Sequence, residues 1–190
     1  MLSIDERLLV IRAGQRPATV FALEFAQRAV RASRLQLERI YRWEERSASL
    51  EEVIAINEDR LTDIHFFFIA IRNIYRYLRK VVQDDSFAEL GPRLEQLNGQ
   101  WFKAYSAARE AFEHIDQRLP GETHANRIVA IDGGRRAVHY GFSPRTGVFR
   151  HSDQEWDIGQ QNIGRFHDDV ASFIAAVFDL ARRGTSGKAS

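Results

Sequence analysis

Ile64-His65-Phe66-Phe67-Phe68-Ile69-Ala70-Ile71 is apolar around nearly the whole circumference of a helix. A segment with no polar face must be enclosed by other elements. Its reading decides the fold: a helical bundle with this stretch near the centre. The helix that carries it is long. Ser49 with Glu52 forms a capping-box pattern at its start, and Gln83-Asp84-Asp85 ends it after Val82.

Helices flank it on both sides in the chain. A short helix is expected over 3–13. Pro17 then opens a long one, because its fixed φ and missing N–H suit a first helical turn. Val20, Phe21, Phe25, Ala29, Ala32, Leu35, Leu37 and Ile40 recur at about 3.6 residues and form its expected core face, up to about Trp43. Beyond the central helix, Ser86 with Glu89 is expected to cap a brief turn. Gly91-Pro92 restarts the chain, and a third long helix runs to Leu119, where Pro120-Gly121 stops it. Its expected buried stripe is Leu94, Leu97, Trp101, Ala104, Ala108, Phe112, Ile115 and Leu119.

The periodicity then changes. Ile128-Val129-Ala130-Ile131 is a short β-rich run followed by the turn residues Asp132-Gly133-Gly134. Strands are expected over 137–142 and 148–150, with a further one at 155–158. A final helix over about 161–183 carries Phe166, Val170, Phe173, Ile174, Val177, Phe178 and Ala181 on one face. The expected fold is mainly α (α+β). It is one domain over 1–190: a bundle of long helices, a small antiparallel sheet in the region 127–158, a returning C-terminal helix, and a disordered tail over 184–190.

The 190 residues are 44% hydrophobic and 28% charged, with a net charge of +1. That balance describes a globular chain and excludes an obvious polyanion binder. There is no cysteine, so disulfides, thiolate metal sites and cysteine nucleophiles are excluded. No apolar run is long enough for a membrane span, and Met1-Leu2-Ser3-Ile4-Asp5-Glu6 has no basic start or apolar core, so the expected location is cytoplasmic. No phosphate loop, dinucleotide glycine fingerprint or nucleophile elbow is present, and no cofactor is expected. His139, His151, His167, Asp168 and Asp169 are candidate metal ligands, but the spacing of His167, Asp168 and Asp169 does not put three ligands on one helical face and sequence fixes no partner, so no metal site is assigned. Asp168 and Asp169 are expected to support the start of the last helix.

The chemistry-bearing stretch is Ala108-Arg109-Glu110-Ala111-Phe112-Glu113-His114 on the third long helix. With Ala108 at the centre of the stripe, Arg109 falls about 100° to one side and His114 about 120° to the other. Glu110 and Glu113 lie on the outward face between them. Glu110 and His114 are i,i+4 neighbours, so the carboxylate can orient the imidazole. An arginine to hold a phosphate and a histidine to move a proton are enough to cleave RNA without a metal. Arg60 with His65, Arg118 with His124 and Arg145 with His151 have comparable spacing. Position on a long helix late in the bundle singles out Arg109 and His114, with Arg60 and His65 as the rival.

This stretch resembles the signature of the HEPN family of helical ribonucleases: an arginine, four to six residues, then a histidine on a late helix. Glu110 stands where that family more often has Asn, Asp or His. The resemblance implies a homodimer that sets two such helices side by side, a composite site built from Arg109, His114 and Glu110, and RNA cleavage that leaves a cyclic phosphate. Two readings stand beside it. One is a non-catalytic homodimeric scaffold whose face includes Glu110 and Glu113. The other is a nucleic-acid-binding module using the basic hairpin, where Arg127, Arg135, Arg136, Arg145 and Arg150 face Asp132 alone. Arg72, Arg76, Arg79 and Lys80, interleaved with Tyr75 and Tyr77, form a second basic segment that could track a nucleic-acid backbone.

Overall fold

Helices dominate the computed structural model, which describes residues 2–14, 16–42, 50–113, 130–131, 134–135, 140–151 and 154–186. In chain order they are α1 (Ile4–Ala13), α2 (Ala18–Arg42), α3 (Leu50–Val82), α4 (Gly91–Leu97), α5 (Lys103–Glu113) and α6 (Gln160–Ser186). A 3₁₀ segment, Asp85–Leu90, leads into α4, and a π-helical turn, Asn98–Phe102, joins α4 to α5. Short strands β1 (Ala130–Ile131) and β2 (Gly134–Arg135) pair with each other. Strands β3 (Tyr140–Ser143), β4 (Val148–His151) and β5 (Gln154–Asp157) form an antiparallel meander. The fold is mainly α with a small sheet and a returning C-terminal helix, as expected from the sequence.

The apolar segment of α3 is enclosed. Ile64, Phe67, Phe68 and Ile71 are fully buried, and α3 packs against α2, α4 and α5. His65 and Ile69 are partly buried, and Phe66 remains half exposed. The α2–α3 seam is the most extensive in the molecule and differs from the expected core face. Val20, Ala29 and Ile40 are buried as expected, but Phe21, Phe25, Ala32 and Leu35 are exposed. The buried residues of α2 include the small side chains Ala22, Ala26 and Ser33. Phe25 sits at the rim of this seam, stacked on Tyr77 with centroids 5.3 Å apart.

Side-chain caps and junctions set the helix ends. Ser3 and Glu6 form a reciprocal capping box at the start of α1. The 3₁₀ segment is capped by Asp84, not by Ser86 with Glu89, because the Asp84 carboxylate itself accepts from Ser86 N at 3.1 Å. Asp84 is fully buried and also accepts from Arg16 N (3.0 Å) and Thr19 Oγ1 (2.6 Å), which ties the α1–α2 turn to the end of α3. Ser49 and the side chain of Glu52 lie outside the described residues. Helix α6 continues to Ser186, so the segment 184–186 is helical, and 187–190 lie outside the described residues.

In the meander, Phe142 pairs with Phe149 and Phe149 with Trp156, so one face of the sheet carries a row of three aromatics. That face packs on the bundle: Phe149 lies 5.5 Å from Phe68 and 5.9 Å from Phe112 between ring centroids. Strand β3 is described from Tyr140 to Ser143, and the earlier part of the expected strand, residues 137–139, lies outside the described residues. Among the described residues no helix is long and apolar enough to cross a membrane.

Candidate active site

Arg109 sits on α5 beyond the junction with α4. Leu97 and Lys103, which flank the π-turn, both have right-handed helical backbone, so α4, the π-turn and α5 run on without a break. A π-turn holds one residue more than an α-turn. The buried stripe therefore shifts after Trp101 and meets the expected one again at Ala108. Tyr105 is buried where the even spacing placed Ala104, and Ala104 is exposed. From there Ala108 and Ala111 continue the buried face. Arg109 is drawn onto its shoulder: the residue is half-buried and its guanidinium Nε is out of contact with water. Glu110 is exposed on the outward face, as expected. Helix α5 is described as far as Glu113, whose side chain, like all of His114, lies outside the described residues.

The slip is anchored from α6. Asp169 Oδ2 accepts from Trp101 Nε1 at 2.8 Å and from Gln100 Nε2 at 3.3 Å. Asp169 thus pins the π-turn from the middle of α6; it does not support that helix's start, which lies nine residues earlier at Gln160. On the next turn of the same stripe, Tyr105 Oη donates to Asp157 O at 2.7 Å and accepts from Asn162 Nδ2 at 3.2 Å. Burial, reinforced by Asp157, pushes the Tyr105 phenol well above its usual range.

The structure brings a second histidine to the α5 face. Phe112 lies one turn beyond Arg109 on the same side of α5, and the His65 ring of α3 packs on it at 4.6 Å. Arg60, the other half of the rival pair, is buried with its guanidinium over the Phe142 ring at 5.8 Å. His151 is buried on β4, two residues along from Phe149 and on the same face of the sheet. The seam between α3, α5 and the meander therefore collects Arg60, His65, Arg109 and His151 around Phe112, Phe142 and Phe149. Spacing along the chain identified Arg60 and His65 only as a pair with each other; the link from His65 to α5 is tertiary and had no local signal. Nearby, Asp63 is buried and bridged by Arg39 Nε at 3.1 Å; burial raises its carboxyl pKa and Arg39 partly offsets the rise.

The basic segments are less available than their sequences suggested. Tyr75 stacks on Phe102 at 5.1 Å and donates to Glu95, and Tyr77 stacks on Phe25, so both rings are occupied within the fold. Arg72, Arg76, Arg79 and Lys80 remain exposed. In the hairpin region Arg150 is bridged by Glu155 at 2.7 Å, because the β4–β5 register sets the two opposite each other. The patch therefore carries a second acid besides Asp132. The side chain of Arg135, and all of Arg127 and Arg136, lie outside the described residues. Arg145 lines a separate open cleft of about 340 Å³ with Arg165, Asp157, Asn162 and Tyr41, where α6 begins.

His167 is a core group. Its Nε2 lies 2.8 Å from Ser33 Oγ, and the single Ser33 hydroxyl proton already goes to Val30 O. Nε2 must therefore be the donor, so the neutral ring is the Nε2–H tautomer. Burial, aided by Arg34, lowers its pKa from 6.5 to about 4. Above pH 6.5 both folded and unfolded chains are neutral at this group. Between pH 6.5 and 4 the unfolded chain takes up a proton that the folded chain refuses, so stability falls as pH is lowered through that window. The expected loss is on the order of 2 kcal/mol. Urea denaturation at pH 7.5 and 4.5 measures it, and His167→Leu should flatten that component. Among the described residues no three histidine or carboxylate side chains converge as a metal site.

No family model, no curated protein and no solved structure gives a significant match to this chain.

Proposed function

We propose that the chain is a HEPN-like, metal-independent endoribonuclease, or a descendant that keeps the scaffold, acting in the cytoplasm through a composite site made by two copies. The observation that carries this reading is the position of Arg109. It lies on a late helix of the bundle, on the shoulder of the buried face, one turn from the His65–Phe112 contact. A guanidinium held partly out of water binds a phosphoryl oxygen more strongly than a fully solvated one. In the reaction the 2′-oxygen bonds to phosphorus and the bond to the 5′-oxygen breaks. His114 takes the 2′-hydroxyl proton, a second imidazole returns a proton to the leaving oxygen, and Arg109 stabilises the equatorial charge. Glu110 orients His114 from one turn earlier.

The test is cleavage of single-stranded RNA in EDTA, with analysis for a 2′,3′-cyclic phosphate. Arg109→Ala and His114→Ala are each expected to lower the rate by about a hundredfold or more while the circular dichroism melt is retained. Cleavage at the parental rate in both variants refutes the reading. A second reading, a non-catalytic self-associating scaffold, is favoured by the exposed apolar side chains of α1 and α2. It predicts assembly without any RNA cleavage.

A further inference from the structure

Helix α1 exposes a face that no described residue covers. Ile4 is 75% exposed and Ile11 56%, with Leu8 between them at 43%. The spacing of four and then three residues is that of a coiled-coil seam. On the wheel, Leu8 is central, Ile4 and Ile11 lie about 40–60° to one side, and Asp5 and Arg12 lie about 40–60° to the other. Asp5 is at the N-terminal end and Arg12 at the C-terminal end, both exposed. The opposite side of α1 is already used: Val10 and Ala13 are buried, and α1 packs on α6 and α2.

We propose that α1 is a self-association face, on which two copies of the chain pack their α1 helices antiparallel about a two-fold axis at Leu8. The charges select this arrangement. Antiparallel pairing centred on Leu8 sets Leu8 against its counterpart and Ile4 against Ile11 of the second copy. It also sets Asp5 against Arg12 of the second copy, twice by symmetry. Parallel pairing would set Asp5 and Arg12 against Ile4 and Ile11 of the second copy and leave both charges without an opposite partner. Arg7 Nε bridges Glu24 at 2.7 Å and ties α1 to the first turns of α2.

This face is separate from the α5 face of the proposed catalytic site, since α5 packs on α3 and β5. If both faces pair, the chain has two isologous interfaces and forms a tetramer or an open array; if α1 alone pairs, it forms a dimer. In every case loss of the α1 contact lowers the assembly mass, and RNA cleavage reports on α5 independently.

The chain contains no cysteine, so a single introduced one gives an unambiguous cross-link. Leu8→Cys in the full chain is expected to form a disulfide-linked pair under mild oxidation about tenfold faster than Leu35→Cys, which sits on an exposed part of α2 outside the seam. Leu8→Glu is expected to lower the mass seen by sedimentation with an unchanged circular dichroism spectrum. Asp5→Arg should weaken association, and the double variant Asp5→Arg with Arg12→Asp should restore it. Equal cross-linking at positions 8 and 35, or a mass unaffected by Leu8→Glu, overturns the proposal. Failure of the charge swap to rescue overturns the antiparallel arrangement.

Discussion

Phe149→Ala is expected to destabilise the protein by about 3–5 kcal/mol, the range for deleting a fully buried aromatic side chain. Phe149 is the point where three layers meet. Its ring contacts Phe68 of α3, Phe112 of α5 and Trp156 of β5, all with centroids between 5.5 and 5.9 Å. The cavity would open between a three-stranded meander and the bundle. A sheet that small depends on packing against helices, so it cannot close the gap without giving up contacts elsewhere. Two readouts separate local from global loss. Urea denaturation gives the change in stability, and the emission of Trp156, which stacks on Phe149, should shift to the red if the sheet lifts. The variant should also loosen the Phe112 ring that His65 packs on, so any RNA cleavage should fall with it. A loss below about 1 kcal/mol would mean that the seam collapses around the deletion, and would contradict the role given to Phe149.

The long elements were legible because their periodicity is sustained. Helix α2 was expected from Pro17 to about Trp43 and spans Ala18–Arg42; α3 was expected to end at Val82 and does. Lateral orientation was harder to read. On α2 the large side chains Phe21, Phe25 and Leu35 suggested a core face, but the buried positions there are largely small: Ala22, Ala26, Ala29 and Ser33. Hydrophobic size marks a core face only when the partner helix leaves room for it. The same gap explains the missed apolar face of α1. Val10 and Ala13 use one side and Ile4, Leu8 and Ile11 the other, so the helix has little amphipathic signal to read.

The candidate site was legible in its residues and only in part in its geometry. Arg109 and Glu110 were placed on a wheel centred on Ala108, which is fully buried, and their half-buried and exposed positions agree with it. What the wheel missed is the π-turn at Asn98–Phe102, which nothing in Asn98-Gly99-Gln100-Trp101-Phe102 announces and which exchanges Ala104 for Tyr105 in the buried stripe. Its anchor, Asp169, is 68 residues from Trp101 in the chain, so that shift comes from tertiary structure. The other missing piece is tertiary too: α3 supplies His65 to the Phe112 ring.

Gly147→Ala is expected to cost about 3 kcal/mol or more, for two reasons that can be separated. Gly147 has φ +68°, where an L side chain is strained. A Cβ at this position would also lie 2.4 Å from Gly159 Cα and 2.8 Å from Gly159 N. Both neighbours are backbone atoms, so relief requires moving the β5–α6 junction and not merely rotating a side chain. That junction is stitched to the same turn: Ile158 N donates to Gly147 O at 2.8 Å, and Tyr41 Oη donates to Ile158 O at 3.2 Å. Pushing Gly159 away would break the first bond and shift the start of α6, which carries Asp169 and hence the anchor of the π-turn. Asparagine tolerates the left-handed region better than alanine but carries the same Cβ. If the clash dominates, Gly147→Asn loses nearly as much stability as Gly147→Ala in urea denaturation. If backbone strain dominates, asparagine recovers most of the loss, and the close approach of Gly147 to Gly159 is not what requires glycine here.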